Sequence, residues 1–489
     1  MKRTCVVVSV AFLALMVTPS ASFGDALIVV TETTDEFNAD GDCSLREAIR
    51  AANIDAPVDG CTGGTGSDEI SIPAGTYVLD LGPAGDDDGL WGDLDINSSL
   101  VIRGTGARST VLSGGAPTVP DRVLHVRDGT VHVTGVTVRG GVADSGGGIY
   151  VDIGSDSVTL SRIEIRDNTA GRFGGGLFAV STVSISESAI THNKGGGTDA
   201  LNDGGGGIFV GTGSLTATNV TLSGNETPSW GGAVRANGGS ISLSWSTVSG
   251  NSSEGGAGGF YTQSATVTLR GVLVSGNTSP NEPEYGTCIG ALSSDGYNLF
   301  DVADLGPSCG YSASTGDAFS AQSRLLPLSN YGGPTSAHAL GVGSDAIDAA
   351  SDTTCPATDQ RGRLRPKDGL DPDQTPGCDV GSIEITARAH PRQVSLSLFR
   401  HIMAGGSVTV SDGFKRCRNG VHVLIQRKVA GSWRTVAKRT TSPDGSYRAL
   451  VLDKVGTYRA KLPVLSFTSS IGDHHTCPTD VSPQRMHRH

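Results

Sequence analysis

Gly146-Gly147-Gly148-Ile149-Tyr150-Val151 is the stretch that decides the fold, because variants of it keep returning. It comes back as Gly174-Gly175-Gly176-Leu177-Phe178-Ala179, Gly205-Gly206-Gly207-Ile208-Phe209-Val210, Gly231-Gly232-Ala233-Val234 and Gly258-Gly259-Phe260-Tyr261. An apolar-x-x-Asn pattern interleaves with it and ends at Asn168, Asn193, Asn225, Asn251 and Asn277, the last three spaced by 26 and 26 residues. The glycines ahead of each apolar run, Gly148, Gly176, Gly207, Gly232 and Gly259, lie 28, 31, 25 and 27 residues apart. Self-similarity at such a period marks a solenoid or an array.

The contents of one repeat say which solenoid. Between Gly148 and Asn168 lie Ile149 to Val151, Ser157 to Leu160 and Ile163 to Ile165, three short β-rich runs broken by Gly, Asp and Ser. None is long or periodic enough for a helix. Three strands per turn, with alternate side chains inward, make a parallel β-helix, whose coils bury their apolar faces only by stacking about 4.8 Å apart. Glycine suits the bends, and the recurrent Asn suits a stacked hydrogen-bonded ladder. Asn97, Asn219, Asn225, Asn251 and Asn277 also stand in N-x-S/T frames, which are glycan acceptors in eukaryotic secreted proteins. Both readings of these asparagines stand at this point.

Working outward, Lys2-Arg3, the apolar Val6 to Val17 and the small residues Ser20 to Gly24 read as a secretory signal over 1–24, cleaved near Ser22 or Gly24. No later run is apolar enough to span a bilayer, so an extracellular, monomeric chain without a transmembrane span is expected. Eight cysteines remain after Cys5, and their order favours local disulfides: Cys43 with Cys61, Cys288 with Cys309, Cys355 with Cys378, and Cys417 with Cys477. Other connectivities stay open. The net charge of −12 hides a split, since residues 386–489 hold 17 Lys+Arg against 5 Asp+Glu. The rest of the chain is correspondingly acidic, so 386–489 reads as a basic module with its own anionic partner, or simply as solubilising charge.

Ser44 with Glu47 three residues on forms a capping box, and Leu45, Ala48, Ile49 and Ala52 give one apolar helical face. Such a helix plugs the open end of a stack. Cys43-Ser44-Leu45-Arg46-Glu47-Ala48, followed by Ile72-Pro73-Ala74-Gly75-Thr76-Tyr77, resembles the signature of bacterial extracellular proteins with the CSLREA motif. Asn330-Tyr331-Gly332-Gly333-Pro334-Thr335, Ser344-Asp345-Ala346-Ile347-Asp348, Asp359-Gln360-Arg361-Gly362 and Cys378-Asp379-Val380-Gly381-Ser382-Ile383-Glu384 resemble the choice-of-anchor Q domain. The middle is similar to the repeats of chlamydial polymorphic outer-membrane proteins. The resemblance implies a right-handed parallel β-helix over 25–385 on the bacterial surface. Arg361, Arg363 and Arg365 belong to the matched motif and are expected to pair with Asp359 or Asp379. The terminal anchor such proteins usually carry is not recognisable. After Pro391 come the runs Val394 to Phe399, Val408 to Val410, Val421 to Ile425, Trp433 to Val436, Tyr447 to Leu452 and Tyr458 to Leu462. With Cys417 and Cys477 they predict a small immunoglobulin-like sandwich over 386–489.

Chemistry is harder to find. A lyase of this fold needs clustered carboxylates for Ca²⁺ with a basic residue, and a hydrolase needs paired carboxylates at a fixed separation. The densest cluster, Asp86, Asp87, Asp88, Asp93 and Asp95 around Trp91, is the candidate calcium site; a solvated turn is its bland alternative. Asp368, Asp371 and Asp373 are a weaker one, and the terminal histidines His474, His475, His487 and His489 are a source of stray metal binding. His132 and His192 stand singly, and no other cofactor is expected. The recurring positions are structural residue types, so no catalytic residue is assigned. The expected function is non-catalytic: adhesion, or binding of a polysaccharide or an anionic cell-envelope polymer. The alternative is a polysaccharide lyase or glycoside hydrolase working in a lateral groove. A deep cleft lined by carboxylates would favour chemistry, a flat flank adhesion.

Overall fold

The computed structural model describes residues 26–488 apart from 84, 86–87, 116–117, 198–202, 304, 352, 354, 368–376, 400–402 and 452–453. The proposed signal segment, Asp86, Asp87, Asp368, Asp371, Asp373 and His489 therefore lie outside the described residues.

The repeats wind into a parallel β-solenoid with three strand rows. The first row stacks Leu94–Ile96, Leu124–Val126, Ile149–Val151, Leu177–Ala179, Ile208–Val210, Val234–Asn237 and Phe260–Gln263, each parallel to the next. The second stacks Gly129–Thr134 and Ser155–Ser161, the first halves of Thr182–Thr191 and Ser214–Ser223, then Ser240–Ser244 and Thr266–Arg270. The third runs through Thr137–Arg139, Glu164–Arg166, the second halves of the same two long strands, Thr247–Ser249 and Leu273–Ser275. The register departs from the sequence alignment once. Ile208 pairs with Val234, so Ala233 and not Gly232 stacks on Gly207.

Period-2 alternation sends every second residue inward. Val183, Leu215, Ile241 and Val267 are register partners and at most 2% exposed, one column of a continuous core. At the corner between the second and third rows the chain takes positive φ in successive coils, at Gly135, Arg162, Glu187, Asn219, Trp245 and Gly271. Four of these six are not glycine, so the stack holds in place a conformation that L-residues avoid. The next corner carries the asparagines. Nδ2 of Asn168, Asn193, Asn225 and Asn251 each donates to Oδ1 of the next rung at 2.8–3.0 Å, and the backbone N–H of each donates to the same oxygen. Asn168, Asn193, Asn225 and Asn251 are fully buried, so their amides are structural and closed to glycans.

The helix Leu45–Asn53 caps the stack with the capping box its sequence predicts. Arg46, fully buried, holds both oxygens of Asp35 at 2.7 and 2.9 Å and donates to the carbonyls of Gly89, Gly92 and Asp93. All four local disulfides are formed: Cys43–Cys61, Cys288–Cys309, Cys355–Cys378 and Cys417–Cys477.

Beyond the last coil the chain turns back along the outer face of the third row. His338 Nε2 lies 2.8 Å from Ser223 Oγ, Thr221 Oγ1 donates to Gln360 Oε1 at 2.6 Å, and Arg108 Nη2 donates to the Thr335 carbonyl at 2.9 Å. Ala339, Val380, Ile383 and Ile385 join Trp245, Leu273 and Leu299 in a second core. Past residue 386, one antiparallel sheet built on Met403–Val410 packs against another built on His422–Val429 and Gly456–Leu462, enclosing Val408, Val423, Ile425, Tyr447, Tyr458 and Leu462. The predicted sandwich is thus present, but its boundary is not clean. Arg363 pairs with Asp473 at 2.8 Å, and His474 Nε2 donates to the Leu340 carbonyl. Of the other motif arginines, Arg361 pairs with Asp359 as expected, whereas Arg365 pairs with Glu384.

Candidate functional site

The returning chain covers the third row and leaves a cleft of about 650 Å³ over its early coils, lined by Arg108, Glu164, Arg166, Asp167, His192 and Ser336. This is where a lyase or hydrolase would act. Its charged groups are already engaged, however. Glu164 accepts from Ser336 Oγ at 2.9 Å, Arg166 pairs with Asp167, and Arg108 donates to the carbonyls of Gly333 and Thr335.

The second row is open and has a different character. Thr182, Ser214, Ser240 and Thr266 form one column of register partners; Thr159, Ser184, Thr216, Ser242, Thr268 and Ser293 form another; Thr134, Ser161, Ser186, Thr218 and Ser244 form a third. All point outward, since the intervening residues are the buried core. Strand geometry sets hydroxyls about 4.8 Å apart along each column and about 6.7 Å across. Within the columns some hydroxyls bond each other, as Thr218 Oγ1 and Ser244 Oγ do at 2.9 Å. Their ordinary β-propensity explains Ser and Thr singly. It does not explain three such columns without a charged residue in a chain that is 18% charged. Charge stands at the margins: Asp156 at the bulge of Ser155–Ser161, Arg162 paired with Glu187 at the corner, and Arg103 and Arg270 at the two ends of the third column, while His132 continues the second column beyond Thr159. Pro356 and Cys355 close one side of a shallow depression beside Ser242 and Ser244.

The first row carries an outward stack of rings. His125, Tyr150, Phe178 and Phe209 are register partners, with centroids 4.8, 5.0 and 5.4 Å apart. The first two pairs lie nearly parallel, so they show edges and not faces to solvent; their work is to tie coils together. At the N-terminal end of this stack sit Asp93 and Asp95. Of the candidate calcium residues, Asp88 is exposed on the turn, while Asp93 and Asp95 are fully buried beside His125, a neighbour no sequence spacing indicated. The solvated-turn reading therefore fails for these two. Burial, and the adjacent Asp95 carboxylate, hold the Asp93 carboxyl well above the usual range.

The basic module places Lys438 and Lys461 on either side of Leu424, and Arg459 over the Trp433 ring at 4.2 Å. His474 and His475 are not free metal ligands. His474 is bound to the Leu340 carbonyl, and His475 Nδ1 lies 2.8 Å from His390 Nε2, whose Nδ1 is 2.6 Å from Asp412.

No family model matches the chain, and no curated protein matches it. Among solved structures, the crystal structure of pectate lyase Pel9A is similar to it, with a TM-score of 0.40 and 12% identity over 74% of this chain and 96% of that one.

Proposed function

We propose that this protein is a non-catalytic, extracellular binding solenoid whose second-row face lies against a neutral polysaccharide. The observation that carries the reading is the set of three hydroxyl columns. Each hydroxyl both donates and accepts, which is what sugar hydroxyls require. A regular array presents many such contacts to a repeating polymer, so weak single contacts sum by multivalency. Four disulfides fit an oxidising, extracellular setting, and no helix among the described residues is long and apolar enough to cross a membrane.

Co-sedimentation with insoluble neutral polysaccharides, at low and high salt, tests it. Retention that persists at high salt and disappears in Thr216→Glu/Ser242→Glu is expected. Release of reducing ends or unsaturated uronates would replace the non-catalytic reading, and no retention on any neutral polymer would remove the binding one. The basic module supports a second contact, with an anionic envelope polymer; that contact must weaken as salt rises.

A further inference from the structure

We infer that Asp93, Asp95 and His125 form a binding site for one first-row divalent cation of the zinc or manganese class, with Asp93 Oδ1, Asp95 Oδ1 and an imidazole nitrogen as ligands. One ligand atom from each residue lies within 4.8 Å of the other two. The solenoid builds this juxtaposition, because Asp95 and His125 are direct register partners in the first row. Each carboxylate is anchored by its other oxygen. Asp93 Oδ2 accepts from Arg122 Nη1 at 2.7 Å, and Asp95 Oδ2 accepts from the Gly89 N–H at 3.0 Å.

The remaining oxygens, both Oδ1, are buried without a hydrogen bond. His125 Nδ1 approaches Asp95 Oδ1 to 2.9 Å, but out of line for a hydrogen bond. Unpartnered buried polar atoms cost free energy unless something satisfies them. Charge points the same way. The Arg122 guanidinium pairs with Asp93 and lies 3.5 Å from His125 Nδ1, Asp95 has the His125 imidazole beside it, and the nearby Asp121 carboxylate is already taken by the Gly85 and Arg122 N–H groups.

Ligand chemistry selects the cation. Two carboxylate oxygens and one imidazole suit zinc or manganese, whereas calcium prefers six to eight oxygens. Stacking of His125 on Tyr150, 7° from parallel, fixes the ring, and Asp152 Oδ2 at 3.8 Å from Nε2 is placed to orient it. The inference stands apart from the polysaccharide reading, and its test needs no glycan.

The full mature chain, stripped with chelator, is titrated with Zn²⁺, Mn²⁺ and Ca²⁺ by calorimetry, and retained metal is counted by mass spectrometry. One equivalent of Zn²⁺ or Mn²⁺ is expected, bound at least about 10-fold more tightly than Ca²⁺. His125→Gln and Asp95→Asn should each weaken binding about 100-fold, and Asp152→Asn about 10-fold. No stoichiometric uptake by the wild-type chain overturns the inference, as does a preference for Ca²⁺. Undiminished uptake by His125→Gln also overturns it, by locating the metal elsewhere. Should Asp95→Asn fail to fold, His125→Gln and the wild-type titration decide.

Discussion

Asn193 Nδ2 donates to Asn225 Oδ1 at 3.0 Å although 32 residues separate them, while the rungs on either side are spaced by 25 and 26. The rungs therefore keep register across an interval longer than its neighbours. Loop length costs little entropy, whereas a one-residue slip would turn every core side chain outward.

Asn225→Ala removes both partners of one rung, leaving the Asn193 N–H and the Ile190 carbonyl buried and unpaired. A loss of about 2–4 kcal/mol is expected from two such groups. Asn277→Ala, at the half-exposed end of the ladder, should cost less than half as much. Denaturant midpoints of the two variants check the ranking.

Arg46→Ala leaves the Asp35 carboxylate and three loop carbonyls without their donor. Breaking a buried pair in this way costs about 3–5 kcal/mol. Because Arg46 also holds the Asp93 carbonyl, hydrogen exchange should accelerate first in the helix and in residues 89–96.

Stability should fall as pH rises through the near-neutral range. Burial, opposed by Arg365, lifts the Glu384 carboxyl to about 7, and burial beside Glu384 lifts Asp379 also. Between about pH 4.5 and 7 the folded chain keeps a proton that the unfolded chain has released, so raising pH favours unfolding, at about 1.4 kcal/mol per unit at most. The contribution is complete below the unfolded value and lost above the folded one. Comparing urea midpoints at pH 4.5 and 8, Glu384→Gln should show a flatter dependence than the wild-type chain.

Thr216→Glu and Ser242→Glu point outward from the second row, so each should leave stability within about 0.5 kcal/mol of wild type. Unchanged melting together with lost polymer retention separates a binding face from a structural one. A large loss of stability would instead assign the columns to holding the coils together.

Much of the architecture was legible from residue order, because a coil is a local unit and its neighbours repeat it. The Gly-Gly-apolar and apolar-x-x-Asn periods named the solenoid, Ser44 and Glu47 the capping helix, and cysteine order the four bridges. Alignment placed Gly232 one residue early, since glycine identity is a weaker guide than which strand residue faces inward. The N-x-S/T frames left Asn225 and Asn251 undecided until burial closed them. Tertiary structure alone decided what lies beside what across coils. Asp95 meets His125, Ser223 meets His338, and scattered Ser and Thr line up into hydroxyl columns. These neighbours follow from the register of stacking and from the path of the returning chain, both set by packing over distances that no local pattern records.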